Sequence, residues 1–160
     1  MKTIHPPVFP FRGLRGVDGY GIGGFGAPRD EGQRRHEGTD YITVPGDVNL
    51  APVPCKATAR GLAYPHNPKL PDLHSLHLQG LGDYENWHFK ILYVKTASDV
   101  VGVEYEAGAP IGICEDLAGY YAAKHPGSPR KMTNHIHVEL IITEPRKVDS
   151  ALLLPPGIHV

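Results

Sequence analysis

Two short segments of the chain carry residue types that hold metal ions. The segment HEGTD at 36–40 places an imidazole and a carboxylate four positions apart, with a glycine between them that favours a turn over a helix. The segment HIH at 135–137 lies in an apolar, strand-like run, where the two-residue period of a strand sends both imidazoles to one face. A catalytic zinc ion takes three ligands from His, Asp or Glu and keeps a fourth position open for water. Each segment alone is also compatible with ordinary surface or packing residues, whereas together they supply a zinc ligand set.

The elements that must position these segments are short strands. Glycine and proline are abundant, at 19 and 16 of 160 residues, which indicates many turns. From position 41 onward, short apolar runs are bounded by Gly, Pro or Asp: YITV, NLAPVPCKATARGLAYP, FKILYV, VVGVEYEAGAPIGI and HIHVELIIT. We therefore predict an all-β fold, an antiparallel β-sheet with a groove over one face, long loops and at most one short helix, at 114–125. Residues 66–87 show no clear alternation, and we expect a long loop there that borders the groove.

The length of the chain fits one domain with one core. We expect residues 1–160 to form a single domain, with a Gly-rich N-terminal arm over 1–35, a core over 36–145 and a packing tail over 146–160.

The overall charge of the chain does not indicate a partner. The formal net charge of -1 provides no general attraction to nucleic acid or to a membrane surface. We find neither a signal peptide nor an apolar run of the roughly 18 residues that a membrane span needs. Cys55 and Cys114 lack C-x-x-C spacing, and we expect buried or free thiols there.

In order, spacing and surroundings, the chain resembles the lysostaphin-type zinc endopeptidases over roughly residues 20–155. Five features of that family have counterparts here, in sequence order: Gly24-Phe25-Gly26 with Arg29, His36 to Asp40, Leu50-Ala51-Pro52, Ala107 to Gly112 and His135 to His137. The resemblance implies the duplicated hybrid motif of that family, a barrel-sandwich-like sheet.

The resemblance also implies roles for the metal-binding segments. His36, Asp40 and His137 would bind Zn²⁺, while His135 would stay off the metal as a catalytic group. Zinc polarises the scissile carbonyl and lowers the pKa of its bound water from about 15.7 toward about 7. A neighbouring imidazole moves the protons.

Four further residues complete the predicted site. Arg29, Tyr93 and Asn134 are assigned to substrate binding. Glu139 shares the strand face of the two histidines and would hydrogen-bond a metal ligand, unless it is an ordinary exposed residue.

The chain departs from the family at the strand where its members carry Tyr-x-His. The matching run here is Tyr93-Val94-Lys95, so that Lys95 replaces a second catalytic imidazole. Such a run resembles a divergent branch that includes leukocyte cell-derived chemotaxin and phage-type proteins. Lysine can stabilise an oxyanion but is a poor general base. His74, His77 or His88 would supply the missing imidazole, unless they are solvated or packing residues.

The resemblance implies a zinc-dependent endopeptidase that cuts the stems or cross-bridges of bacterial peptidoglycan, with wall peptide as its partner and neither nucleic acid nor membrane. Lys95 favours an alternative, a zinc-binding pseudoenzyme or binding module that uses the same groove without hydrolysis. Without an export signal, we expect the chain to be made in the cytoplasm and to act on the cell wall or in the periplasm, as a phage lysin or with virion or tail components.

Overall fold

The computed structural model describes residues 2–143 and 146–158, and most of its regular structure is in strands. The strands are β1 (Val8–Phe9), β2 (Val17–Asp18), β3 (Gly21–Ile22), β4 (Pro28–Arg29), β5 (Arg34–Arg35), β6 (Thr39–Ile42), β7 (Val48–Leu50), β8 (Cys55–Leu62), β9 (His74–Gly80), β10 (His88–Leu92), β11 (Val94–Lys95), β12 (Glu104–Tyr105), β13 (Pro110–Cys114), β14 (His135–Thr143) and β15 (Arg146–Val148). Single 3₁₀ turns cover Asp30–Gly32, Gly82–Tyr84 and Ser150–Leu153.

The strands form two larger sheets, and every strand pairing that the structure describes is antiparallel. One sheet has four strands in the order β1-β7-β13-β11. The other has seven, in the order β12-β8-β9-β10-β14-β15, with β6 also paired to β14. The hairpins β2–β3 and β4–β5 belong to the N-terminal arm. The predicted all-β, antiparallel fold is confirmed.

The hydrophobic core joins residues of both sheets. Val94 and Ile111 of the four-stranded sheet and Leu76 and Ile91 of the seven-stranded sheet belong to one buried cluster. Strand β14 is covered on both faces, because its even-numbered residues from 136 to 140 enter this cluster while His135 and His137 are buried on the opposite face. The two histidines are therefore held on a strand whose other face is packed into the core.

The prediction that residues 66–87 form a long loop is wrong. Residues 74–80 form β9, which pairs with β8 on one side and β10 on the other. Leu76 and Leu78 are fully buried, and they alternate with half-buried His77 and Gln79. The alternation spans few residues and its polar positions are not charged, which made it hard to recognise in the sequence.

The predicted short helix is confirmed as α1 (Leu117–Lys124). Its first turn is capped by Asp116, whose Oδ1 accepts a hydrogen bond of 2.8 Å from the backbone N–H of Gly119. Leu117 and Tyr120 bury one side of α1 in a second hydrophobic cluster. Among the described residues, no helix has the length and apolar character needed to cross a membrane.

Both ends of the described chain contact the sheets. Ile4 is buried, and its N–H donates to the carbonyl of Leu153 at 2.8 Å. The hydroxyls of Tyr41 and Ser150 are hydrogen-bonded at 2.7 Å. The predicted boundary between core and tail, between residues 145 and 146, lies beside a gap, because positions 144 and 145 are outside the described residues. Cys55 and Cys114 are buried free thiols, as predicted.

Candidate metal centre and cleft

Strand pairing brings the two predicted metal-binding segments together. In the pairing of β6 with β14, His137 lies opposite Asp40 and His135 lies opposite Ile42. Residues directly opposite in an antiparallel pair point to the same face. The carboxylate of Asp40 therefore meets the imidazoles of both His135 and His137.

His36 is placed by the turn that contains Gly24 and Gly26. Its backbone N–H donates to the carbonyl of Ala27, and its carbonyl accepts from the N–H of Gly26, both at 2.8 Å. Its Nδ1 lies 3.0 Å from the carbonyl oxygen of Gly24. Gly26 has a φ of +76°, in the left-handed region that glycine adopts without strain. The Gly-Phe-Gly turn thus sets both the backbone and the ring orientation of His36.

Three atoms that can bind a metal converge at this point, and we call His36, Asp40 and His137 the ligand cluster. His36 Nε2 lies 2.9 Å from His137 Nδ1 and 3.2 Å from Asp40 Oδ1. His137 Nδ1 lies 2.9 Å from Asp40 Oδ1. Tetrahedral zinc bonds of about 2.0–2.2 Å separate neighbouring ligand atoms by roughly 3.3–3.6 Å, so the three atoms would hold such an ion after moving apart by a few tenths of an ångström.

Proton positions in the cluster also favour a cation at its centre. A carbonyl only accepts, so His36 Nδ1 donates to Gly24, and a neutral His36 has its lone pair on Nε2. His137 Nε2 lies 3.3 Å from the carboxylate of Glu139, so a neutral His137 has its lone pair on Nδ1. Two lone pairs and a carboxylate oxygen then face one another at about 3 Å. Either an additional proton on one of the two imidazoles or a metal ion must supply the positive charge between these three atoms.

The pKa shifts agree with this electrostatic arrangement. Burial would raise the pKa of Asp40, but hydrogen bonds with His137 and His36 hold it well below its usual range. Burial would also raise the pKa of Glu139, but its contact with His137 and the nearby Lys147 lower it to about 2. Both carboxylates are therefore ionised at neutral pH, and Glu139 orients a ligand of the cluster as an outer hydrogen-bond partner.

His135 lies beside the ligand cluster and outside it. Its Nδ1 is 2.7 Å from the carbonyl oxygen of Thr133 and donates to it. Its Nε2 is 3.4 Å from Asp40 Oδ2 and carries the lone pair of the neutral ring. Burial is the main cause that lowers the pKa of His135, although Asp40 opposes it. A neutral imidazole at this place can accept a proton.

Nothing in the sequence patterns pointed to Arg15, yet it is buried next to the cluster. Its Nη1 donates to Asp40 Oδ2 at 3.0 Å, and its Nε and Nη2 donate to the two oxygens of Asp18 at 2.8 Å each. Burial would raise the pKa of Asp18, but hydrogen bonds from Arg15 and from the backbone N–H groups of Thr133 and Tyr20 lower it well below its usual range. The N-terminal arm is thereby attached to Asp40 of the ligand cluster.

A cleft of about 420 Å³ opens over the cluster. One wall comes from the N-terminal arm, with Arg15, Tyr20, Arg29 and Arg34, and the other comes from the far side of the site, with Tyr64, Leu92, Tyr93, Leu117, Tyr121 and Met132. The hydroxyl of Tyr64 lies 2.6 Å from that of Tyr93 and 3.4 Å from that of Tyr121. The floor is formed by the histidines, Asp40 and Glu139, so a ligand in the cleft would lie between cationic and phenolic groups.

Solved structures share this architecture. A chain of the SpoIIIAH–SpoIIQ complex matches with a TM-score of 0.58 and 12% identity, over 94% of this chain and 99% of that one. A zinc containing peptidase from Vibrio cholerae matches with a TM-score of 0.52 and 14% identity, over 93% and 38%. LytU matches with a TM-score of 0.51 and 19% identity, over 92% and 84%. No protein-family model and no curated protein matches the chain.

The chain has the lysostaphin-type peptidase fold. It spans less than half of the Vibrio cholerae peptidase, at 38% of that chain. At these identities the likeness establishes the fold alone.

Within this lysostaphin-type fold, Tyr93 enters the cleft and Lys95 does not. Tyr93 has a φ of +73°, which bends the chain between β10 and β11. The ring of Tyr93 packs edge-on against His135, with centroids 5.7 Å apart. Lys95 follows on β11, in the four-stranded sheet, where it is exposed and lines other surface pockets. The prediction that Lys95 takes the place of a catalytic imidazole rested on the match to the family's Tyr-x-His run, and it is corrected here because the bend at Tyr93 directs Lys95 away from the cleft.

Asn134 is also placed outside the cleft. Its Oδ1 accepts from the N–H of Ala118 at 2.9 Å, and its Nδ2 donates to Thr43 Oγ1 at 2.9 Å and to the carbonyl of Glu115 at 3.0 Å. All of this side chain's described contacts join α1 to β14 and β6. Asn134 thus fixes the strand that carries the two histidines, and its amide is not directed at a substrate.

The three other histidines that could supply the missing second imidazole lie away from the ligand cluster. His74 Nδ1 is 2.6 Å from Glu115 Oε2. His77 and His88 line a separate pocket on the outer face of the seven-stranded sheet, with Lys90. Among the described residues, His135 is the one imidazole of the cleft that does not belong to the ligand cluster.

Proposed function

We propose that this chain is a zinc-dependent endopeptidase that hydrolyses short peptides of bacterial peptidoglycan. The observation that carries the proposal is the ligand cluster at the floor of an open cleft, with His135 directly beside it. Zinc held by His36, Asp40 and His137 would supply a Lewis acid and a water of lowered pKa. His135 Nε2, with its lone pair facing the site, is suited to take a proton from the attacking water and pass it to the leaving amine.

The walls of the cleft suit a peptide with a free carboxylate. Arg15 is paired with Asp18 and Asp40, and Arg34 is paired with Asp30 at 2.9 Å. Arg29 is half-buried and forms no ion pair among the described residues. Its guanidinium stays charged, since burial lowers the pKa of an arginine from a very high value. Arg29 therefore offers a fork of donors to a substrate carboxylate close to the bond that is cut.

The phenolic wall would hold the peptide backbone on the other side. Tyr93 and Tyr64 share a hydrogen bond, and each hydroxyl keeps further capacity to donate or accept. We assign Tyr93 to substrate binding, with Tyr64 and Tyr121 as its partners in the same wall.

Zinc content and dye release from labelled peptidoglycan, measured together, test the assignment. The wild type should hold about one zinc and release dye. His137→Ala should lose both properties because a ligand is removed, while His135→Ala should keep zinc and lose turnover. A His135→Ala variant with wild-type turnover would contradict the role of His135.

Paired synthetic peptides test the role of Arg29. One peptide ends in a carboxylate and the other in the corresponding amide. A hydrogen-bonded charge contributes about 1.5–3 kcal/mol, so Arg29→Gln should weaken binding of the carboxylate peptide roughly 10- to 100-fold and leave the amide unchanged. An equal effect on both peptides would refute carboxylate recognition.

A second function is favoured by one observation, the absence of another non-ligand imidazole from the described part of the cleft. The chain would then be a zinc-binding module that holds a peptide without cutting it. A chain with a similar fold was solved in a complex of two proteins. Zinc binding without dye release on any type of cell wall would establish this alternative over hydrolysis.

A further inference from the structure

Arg15 is buried beside the ligand cluster, with only 6% of the residue exposed. Its guanidinium has no role in the reaction proposed above. All of its described hydrogen bonds go to two carboxylates, Asp40 on the cluster side and Asp18 on the other. Burying this guanidinium with two carboxylates carries a desolvation cost, which their mutual attraction offsets only when the hydrogen bonds are well formed.

The two oxygens of Asp40 have different surroundings. Oδ1 faces His36 Nε2 at 3.2 Å and His137 Nδ1 at 2.9 Å, and it is the oxygen of the ligand cluster. Oδ2 faces Arg15 Nη1 at 3.0 Å and His135 Nε2 at 3.4 Å. Neutral His135 has its proton on Nδ1, bound to Thr133, so Arg15 is the donor that holds Oδ2.

Asp18 keeps the guanidinium from following Asp40 if that carboxylate turns. Its oxygens bind both Nε and Nη2 of Arg15 at 2.8 Å. The same oxygens accept from the backbone N–H of Tyr20 at 2.7 Å and of Thr133 at 2.9 Å. The planar fork of arginine is thus fixed along one side and presents a single N–H to Asp40.

We propose that Arg15 is a positioning residue that keeps Asp40 a one-oxygen metal ligand. A carboxylate can bind a metal through one oxygen or through both. With Oδ2 held by Arg15, Oδ1 alone is free for the ion, which leaves a coordination position open for water. This inference rests on the metal binding in the proposed function.

Metal spectroscopy tests the inference without relying on turnover. X-ray absorption of the zinc-loaded wild type should show four nitrogen and oxygen neighbours at about 2.0–2.2 Å. Cobalt-loaded wild type should absorb strongly in the visible range, as four-coordinate cobalt does. At saturating cobalt, Arg15→Gln should absorb several-fold less, because Asp40 turns and binds through both oxygens.

Two further variants separate positioning from charge and from stability. Arg15→Lys keeps the charge but cannot contact Asp18 and Asp40 with a fixed fork, so its spectrum should resemble that of Arg15→Gln. Arg12→Gln is the matched control, because Arg12 donates to both oxygens of Asp47 at 2.7 and 3.0 Å outside the cleft. It should keep the wild-type spectrum.

The outcomes distinguish this inference from the function on which it rests. If the wild type binds neither zinc nor cobalt, both fail. If the wild type binds cobalt and Arg15→Gln or Arg15→Lys has the wild-type spectrum, only the role of Arg15 fails. If circular dichroism shows that Arg15→Gln is unfolded, the wild-type zinc measurement decides, and five or six neighbours would overturn the inference.

Discussion

Replacing Gly38 by alanine should weaken metal binding without changing a ligand. A Cβ at this position would lie 2.6 Å from both Cε1 and Nε2 of His137 and 2.8 Å from the carbonyl oxygen of Val138. Ordinary contact starts at 3.4 Å, so the gap is short by 3.4 − 2.6 = 0.8 Å. Val138 belongs to β14, which is paired on both sides, so its backbone cannot retreat easily. The imidazole of His137 must therefore move.

Metal–ligand distances vary by only about 0.2 Å around their normal values, so a displacement near 0.8 Å is large for this site. Disturbing the support of a metal ligand typically reduces metal affinity about 10- to 100-fold. That range corresponds to about 1.4–2.7 kcal/mol of binding free energy.

Competition with a chromophoric zinc chelator would measure this loss in Gly38→Ala. The matched control is Gly16→Ala, whose new Cβ would meet no atom within 4 Å and which should bind zinc like the wild type. Circular dichroism would show that both variants keep the fold. A Gly38→Ala protein with wild-type zinc affinity would refute the packing of Gly38 against the metal ligand.

Three further predictions concern other parts of the molecule. Lys95→Ala should leave dye release unchanged, since the side chain is exposed outside the cleft. A strong loss of dye release in this variant would show that Lys95 takes part in the reaction. Asp18→Asn should lower the melting temperature at neutral pH. The pKa of Asp18 is lowered in the folded protein, so its stabilising effect is complete above the unfolded pKa of about 3.9 and is lost as the pH falls through the lower folded value. The difference from wild type should therefore shrink in acid. Asp99→Asn, at an exposed position, is the matched control and should keep the wild-type melting temperature at neutral pH. Leu78→Ala on β9 should lower the free energy of unfolding, measured in urea, by about 2–5 kcal/mol. The control Leu62→Ala, at a residue that is 46% exposed, should lower it by less than about 1 kcal/mol. Equal effects of the two substitutions would show that β9 is not part of the core.

Local patterns in the sequence indicate which side chains of the ligand cluster can meet, and the resemblance to the lysostaphin-type family predicts that His137, and not His135, belongs to it. Two residues apart on a strand, His135 and His137 must share a face, and a turn at Gly38 can bring His36 and Asp40 to one point. The spacing of these residues in the sequence does not determine the register of β6 against β14, which places His137 opposite Asp40.

The other residues of the cleft depend on long-range packing. Arg15 reaches Asp40 only because the arm folds back over 25 positions, and no period in the sequence encodes that path. The bend at Tyr93 leaves Tyr93 in the cleft and carries Lys95 out of it, and a positive φ in a tyrosine has no sequence signature. Glu139 is an intermediate case, because its place two residues after His137 puts both side chains on one strand face, while the choice between a contact with His137 and an exposed side chain needs the structure.

The pairing of Asp40 with His137 joins positions that are 97 residues apart in the chain. An ion bound to both of them, and to His36, would act as a cross-link between early and late parts of the polypeptide. Bringing together two positions so far apart in the unfolded chain costs conformational entropy. A metal ion that binds only the folded protein increases the free energy of unfolding, and the increase grows with the concentration of the metal. Metal supply would then govern the lifetime of the protein as well as its chemistry. A chelator would make the whole sheet easier to melt and to digest with proteases, even in a variant that has lost all turnover.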